Sequence, residues 1–222
     1  MDESSKKRSI FTGMTLWLSM AAIILLSIIA GWIYFYHLSA DAWSRGVDDM
    51  GHGVDEEDLP WIGAVDPKVT VYEFIDYDCP HCPVAHKLLR KVLLAHRSTL
   101  RVVRCNYARM PCTNSTCQLV KAGLCAQKQG KFWRWNDYVI QNTAPSLFKE
   151  DLRDKYLRDA VEHAGLDASL FKKCQSAADT VDMAQKIYLK ARRSGIVGTP
   201  GYVVDGKRYS PKELFSFLSE KL

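Results

Sequence analysis

The sequence predicts an α/β domain carried behind one membrane-spanning helix. Three observations carry that reading. Residues 11–38 form an uncharged apolar run, residues 68–75 form a strand pattern that turns sharply into a helical one, and residues 202–209 carry a hairpin signal after a long helical stretch. The chain has 222 residues, enough for one domain plus an extension. At 47% hydrophobic and 25% charged it is globular rather than disordered.

From Phe11 to Leu38 there is no Lys, Arg, Asp or Glu. A helix needs about 20 apolar residues to cross a bilayer, so 11–38 is expected to span one. Lys6, Lys7 and Arg8 precede the run, and Asp41, Asp48 and Asp49 follow it. The positive-inside rule then makes 1–10 a cytoplasmic tail and exports everything after residue 40. Trp17 near one end, and Trp32, Tyr34 and Tyr36 near the other, suit the two interfaces. The alternative is a cleaved signal peptide ending near Ala40-Asp41-Ala42, although the run exceeds the usual core of about 7–15 residues. Both readings place the remainder outside the cytoplasm. Residues 39–66 hold the acidic block Asp55-Glu56-Glu57-Asp58 with Gly46, Gly51, Gly53 and Pro60, and are expected to form an acidic linker before a domain at 67–222.

Charge is unevenly distributed. Residues 1–66 hold four basic and ten acidic side chains (net −6), and 67–222 hold 26 basic and 15 acidic (net +11). A basic domain attracts anionic surfaces, among them membranes and acidic polypeptides. No nucleic-acid-binding motif accompanies the charge, so nucleic acid is not an expected partner.

The chemistry centres on Cys79-Pro80-His81-Cys82. Lys68 to Ile75 reads as a strand apolar on both alternating faces, as in a strand covered on both sides. After Asp76-Tyr77-Asp78 and Cys79, a helix is expected from Pro80 to residue 97, with Pro80 in its first turn. Its apolar stripe is Val84, Ala85, Leu88, Leu89, Val92 and Leu93, with Lys87, Arg90, Lys91 and Arg97 elsewhere. Cys79 is therefore expected beside a helix N-terminus, whose partial positive charge favours a thiolate, the attacking species in disulfide exchange. His81 adds to this, and Cys82 lies close enough to close a small ring. Stabilising the thiolate makes the disulfide a stronger oxidant. Glu73 is the odd residue in the strand. A raised pKa would let it exchange protons with Cys82, and the alternative is a sheet-edge glutamate paired with a lysine. CxxC is also half of a zinc site, but Cys105, Cys112 and Cys117 supply no second CxxC, so no structural metal is expected, with transient copper or zinc capture by the open pair as the alternative; no cofactor is expected beyond the redox-active pair itself.

Far along the chain, Gly198-Thr199-Pro200-Gly201 precedes Tyr202-Val203-Val204, an Asp205-Gly206 turn and Lys207-Arg208-Tyr209, a strong hairpin signal. A proline opening a paired strand is unusual. A cis Thr199–Pro200 bond would explain it and bring the Thr199 backbone beside the sulfurs as a substrate-docking edge; a trans proline is the alternative.

Taken in order, Trp61-Ile62-Gly63-Ala64, Val69 to Phe74, Cys79-Pro80-His81-Cys82, Gly130-Lys131-Phe132-Trp133 and Gly198-Thr199-Pro200 with its hairpin resemble the DsbA family of thiol:disulfide oxidoreductases in the thioredoxin superfamily. The resemblance covers about residues 60–222. It implies a thioredoxin fold with an inserted all-helical domain at about 112–194, here preceded by one N-terminal transmembrane helix. Strand 69–75, helix 80–97 and strand 100–105 fit that plan. So do helical patterns around Leu119–Leu124, Phe132–Ile140, Leu152–Val161 and Val181–Ala191, the sheet resuming at 202–209, and a closing helix at 211–222.

By that resemblance Cys79 is the nucleophile, Cys82 its buried partner, Pro80 and His81 tune the pair, Glu73 relays protons, and Thr199 and Pro200 dock substrate. Cys125 and Cys174 lie on separate insertion helices, where related proteins carry cysteines, and are expected to pair. Cys112 and Cys117 flank a polar loop and are a second candidate pair, leaving Cys105 odd. The implied partners are reduced exported polypeptides and a DsbB-like membrane protein that passes electrons to quinone. The implied location is the bacterial cytoplasmic membrane, single-pass, with the catalytic domain outside. Asp76 and Asp78 oppose a low thiolate pKa, and Thr before the proline also occurs in isomerase-like relatives. An isomerase or reductase direction therefore stays open, as does a non-catalytic client- or metal-binding protein.

Overall fold

The computed structural model describes residues 17, 20–34, 49–108, 110, 112, 115–142 and 150–222. Two units divide at Gly46 and Val47. In the first, residues 20–34 form helix α1, whose apolar side chains, Ile23, Leu26 and Trp32 among them, are exposed. Among the described residues no helix is long and apolar enough to cross a membrane. The rest of the expected span (11–16, 18, 19 and 35–38), the tail 1–10 and linker residues 39–48 lie outside the described residues.

The second unit is built on six strands: β1 (His52–Val54), β2 (Pro60–Gly63), β3 (Val69–Ile75), β4 (Leu100–Asn106), β5 (Gly201–Val204) and β6 (Lys207–Tyr209), in spatial order β1-β2-β4-β3-β5-β6. The central pair β3 and β4 is parallel, and the other neighbours run antiparallel. Parallel neighbours need a crossover of a dozen or more residues, which α2 (Cys82–Ala95) supplies. Val69 and Val71 face a core with Leu89 and Leu93 of α2 and with Leu214 and Leu218 of α8 (Pro211–Lys221). Phe74, Val103 and Cys105 join a second core with the helical insertion. Coverage on both faces explains why β3 is apolar on both alternations.

The linker expectation fails beyond residue 48. Residues 52–63 hold β1 and β2, because the acidic block folds into a turn rather than repelling itself straight. Asp55 Oδ1 accepts the backbone N–H groups of Glu57 and Leu59, each at 2.9 Å, and Glu57 pairs with Lys190 at 2.7 Å. Gly63 then passes so close to β4 that an added Cβ would strike the Leu100 carbonyl, and its φ of +116° excludes most other residues.

Between β4 and β5 lie α3 (Ser115–Lys128), α4 (Phe132–Asn142), α5 (Glu150–His163), α6 (Ala168–Gln175) and α7 (Ala178–Arg193). Helix α6 carries Cys174, which was expected on an insertion helix, although no periodic pattern marks its bounds; its start is signalled by Asp167, whose side chain accepts from Leu170 N at 2.9 Å. At the far end, Asp205 (φ 49°) and Gly206 (φ 74°) make the two-residue hairpin turn. Helix α8 starts on a Ser210–Glu213 capping box.

Candidate active site

Strand β3 ends at Ile75 and an Asx turn redirects the chain: Asp76 Oδ1 accepts Asp78 N–H, and the Asp76 carbonyl accepts Cys79 N–H, both at 3.0 Å. Cys79 is thereby delivered to the surface, half-buried, at the C-terminal end of the parallel pair. Helix α2 starts at Cys82, two residues later than expected, and Pro83 rather than Pro80 fills its first turn. Pro80 and His81 are exposed, and the His81 side chain does not cap the helix. Cys82 N–H donates to the Cys79 carbonyl at 3.1 Å, and its side chain is fully buried.

The Thr199–Pro200 bond is cis. It leads into β5, where Gly201 pairs with Phe74, and puts the Thr199 carbonyl 3.1 Å from Cys79 Sγ, which donates to it. Two residues 120 apart in sequence thus meet at one sulfur. A cleft of about 480 Å³ opens beside it, walled by Asp76, Asp78, Tyr107, Thr116, Val197 and Thr199. Val197 is 88% exposed at its rim.

The two cysteines stand in different surroundings. Cys82 and Cys79 are both free thiols here. Burial pushes the Cys82 thiol far above its ordinary value, and the neighbouring Cys79 adds to the rise. Cys105, also free, is buried in β4 on the insertion side, and burial raises it likewise. The structure joins Cys125 on α3 to Cys174 on α6, and Cys112 to Cys117 at the start of α3.

Glu73 requires a correction. It lies at the centre of the sheet, fully buried, with Oε2 2.9 Å from Arg104 Nη2. Burial raises its carboxyl, but Arg104, His86 and Arg90 together outweigh burial and hold it below the usual carboxylate range. A raised pKa is therefore not found, and neither is a lysine at a sheet edge. Arg104 Nη2 also donates to His86 Nδ1 at 2.6 Å, since a guanidinium has no acceptor. That leaves His86 Nε2 to donate to Asp137 Oδ1 at 3.1 Å, while Arg90 donates to Asp137 Oδ2 at 2.8 Å. Burial pushes the Asp137 carboxyl up, but Arg90 and His86 pull it well below its ordinary value. A buried charge cluster thus runs from Glu73 through Arg104 and His86 to Asp137 and Arg90.

The sequence reading missed that cluster. The buried face of α2 is Cys82, Ala85, His86, Leu89, Arg90 and Leu93, whereas Val84 and Leu88 are 64% and 45% exposed. The spacing Cys82, His86, Arg90 is one helical stripe and could have been read as such. Arg104, alone charged within Val102-Val103-Arg104-Cys105, was as odd in its strand as Glu73 in its own.

The sequence model of the family described as Thioredoxin matches residues 55–220. The chain belongs to the thioredoxin family. Its fold agrees with solved members of thioredoxin-like architecture. MdbA, a thiol-disulfide oxidoreductase from Corynebacterium diphtheriae, is 15% identical with a TM-score of 0.63 over 78% of this chain and 96% of that one. BdbD from Bacillus subtilis is 18% identical, TM-score 0.62, over the same shares. The thiol-disulfide exchange protein alpha-DsbA2 from Wolbachia pipientis is 16% identical, TM-score 0.61, over 81% of this chain and 92% of that one. Curated relatives include the Na(+)/H(+) antiporter NhaA 3 of Salinispora tropica, 26% identical over 169 residues, and NhaA of Herminiimonas arsenicoxydans, 24% identical over 182 residues. They cover 75% and 80% of this chain but only 24% and 28% of those proteins, so the chain spans about a quarter of the curated relatives it matches.

Proposed function

We propose that this thioredoxin-family chain is an extracytoplasmic thiol:disulfide oxidoreductase that donates a Cys79–Cys82 disulfide to exported proteins. The observation that carries the reading is the unequal placement of the two sulfurs: Cys79 at a cleft against the Thr199 carbonyl at 3.1 Å, Cys82 buried behind it. The names of the thiol-disulfide proteins that share the fold support it.

In the oxidised enzyme a substrate thiolate attacks Cys79 Sγ. The Cys79–Cys82 bond breaks, its electron pair goes to Cys82, and a mixed disulfide joins Cys79 to substrate. Cys82 then takes up a proton, because burial disfavours its anion. A second substrate thiolate attacks the substrate sulfur of the mixed disulfide, and Cys79 leaves with the electron pair. The substrate has lost two electrons and the cysteine pair has gained them. A protonated Cys82 attacks its neighbour slowly, so the mixed disulfide survives long enough for the substrate's own thiol to resolve it. That favours donation over reduction or isomerisation. A DsbB-like membrane protein that passes the electrons to quinone restores the disulfide.

Residues 11–38 anchor the chain in a bacterial cytoplasmic membrane, with 1–10 inside and the thioredoxin unit outside. Anchoring holds enzyme and reoxidising partner in one plane and raises their effective concentration. Oxidative refolding of a reduced substrate protein tests the reading: Cys79→Ser abolishes the rate enhancement, and undiminished activity of that variant refutes it.

A further inference from the structure

Tyr202 is buried without any exposed surface, and among the described residues its hydroxyl has no hydrogen-bond partner. A buried hydroxyl that bonds nothing costs stability, and phenylalanine would fill the same space without that cost. The position of Tyr202 gives the hydroxyl a use.

Tyr202 is the register partner of Glu73 across β3 and β5, and Arg104 is the partner of Glu73 across β3 and β4. Partners across a sheet project to the same face, so Arg104, Glu73 and Tyr202 form one row. Helix α2 covers that face: His86 Nδ1 lies 3.9 Å from Glu73 Oε2, and Leu89 shares a core with Tyr202. Cys82 sits one turn before His86 on the same buried stripe of α2. Tyr202 also lies two residues after Pro200, on the strand that brings Thr199 to Cys79. In the dithiol form no hydrogen bond joins its hydroxyl to Cys82, and the row on the sheet and the stripe on α2 place the two residues on the same covered face.

Resting on the exchange chemistry proposed above, we propose that Tyr202 is a further catalytic residue, whose hydroxyl donates a hydrogen bond to the Cys82 thiolate whenever that sulfur leaves or attacks. In the thiol form Cys82 asks little of a donor, and the hydroxyl stands unpartnered. When the Cys79–Cys82 bond breaks, Cys82 becomes a buried anion, and the unpartnered Tyr202 hydroxyl turns to it as an uncharged donor. Glu73 cannot serve so, because Arg104 keeps it ionised and a carboxylate only accepts. Burial keeps the proton on the Tyr202 phenol by pushing it far above its ordinary value. Tyr202 gives no proton away, and the proton that finally rests on Cys82 comes from solvent.

The full chain in detergent, reduced at Cys79 and Cys82, tests this with dithiobis(2-nitrobenzoate). Cys79 thiolate attacks the probe and releases one thionitrobenzoate. Cys82 then loses its proton to solvent, attacks Cys79 Sγ, and releases the second. Two thiols and one probe disulfide become one protein disulfide, two thionitrobenzoates and two protons. A hydrogen bond to a charged group is worth enough to move the second step's pH midpoint up by about one unit in Tyr202→Phe. The resulting tenfold loss of thiolate is partly offset by higher nucleophilicity, so the second release slows about threefold at fixed pH. The first release is unchanged, and thermal stability does not fall, since the hydroxyl bonds nothing in the thiol form.

Superimposable second-phase profiles for wild type and Tyr202→Phe would overturn the proposal. So would an effect that disappears in a Glu73→Gln background, because the hydroxyl would then serve the carboxylate instead. Absence of any second release in wild type sinks the exchange chemistry itself, which separates that failure from a failure of Tyr202.

Discussion

Glu73 and Arg104 sit opposite one another in the β3–β4 register with 2.9 Å between Oε2 and Nη2, and neither side chain reaches solvent. This pair lies beneath the cysteine-bearing end of α2, so what happens to it bears on both the fold and the site.

Removing one ion while leaving the other strands a charge in the core. Arg104→Met is expected to destabilise the protein by about 3–5 kcal/mol in urea unfolding. The double variant Glu73→Gln with Arg104→Met is expected to recover most of that loss, because no uncompensated charge remains. Equal destabilisation in the single and double variants would show that the guanidinium matters for packing alone.

Stability should depend on acid in a direction set by the lowered carboxyls of Glu73 and Asp137. A carboxyl with a native value below its unfolded value contributes stability above the unfolded value, and loses it as pH falls through the native one. Unfolded Asp and Glu titrate near about 4. Unfolding free energy is therefore expected to hold from neutral pH to about 5 and to fall steadily below about 4. Glu73→Gln combined with Asp137→Asn should flatten that acid limb, which a urea series at fixed pH values measures.

The Cys125–Cys174 disulfide closes a 49-residue separation within the insertion, between α3 and α6. Replacing both cysteines with serine is expected to cost about 2–4 kcal/mol. Exchange at Cys79 should persist at temperatures where the variant stays folded, since neither residue lines the cleft beside Cys79. Loss of exchange in a folded variant would mean that the insertion positions the site.

Much of this was legible in the sequence. Strand β3, the turn to Cys79, the hairpin at Asp205-Gly206 and the closing helix all carry local signals: β-branched residues, a two-residue turn, and a proline after a serine cap. The meeting of Cys79 with Thr199 was expected from the proline that opens β5. Features set by tertiary contact were not legible. The acidic residues 55–58 read as a stalk because the Asp55 side chain's bonds to the backbone and the Glu57–Lys190 pair form only in the fold. The periodicity puts Arg90 off the apolar stripe and leaves His86 unassigned, because polarity hides their place on the buried stripe of α2. Glu73 was singled out correctly as anomalous, but the sign of its pKa shift depended on a residue from the next strand. Tyr202 reads as an ordinary strand aromatic until its register opposite Glu73 is known.

Covalent trapping tests the central claim most directly. A Cys82→Ser variant of the full chain is incubated with a peptide disulfide, quenched with acid, digested and mapped by mass spectrometry. The account predicts a stable adduct on Cys79, none when Cys79 is also replaced by serine, and none on the buried Cys105. An adduct confined to another cysteine, or no adduct on Cys79, would contradict it.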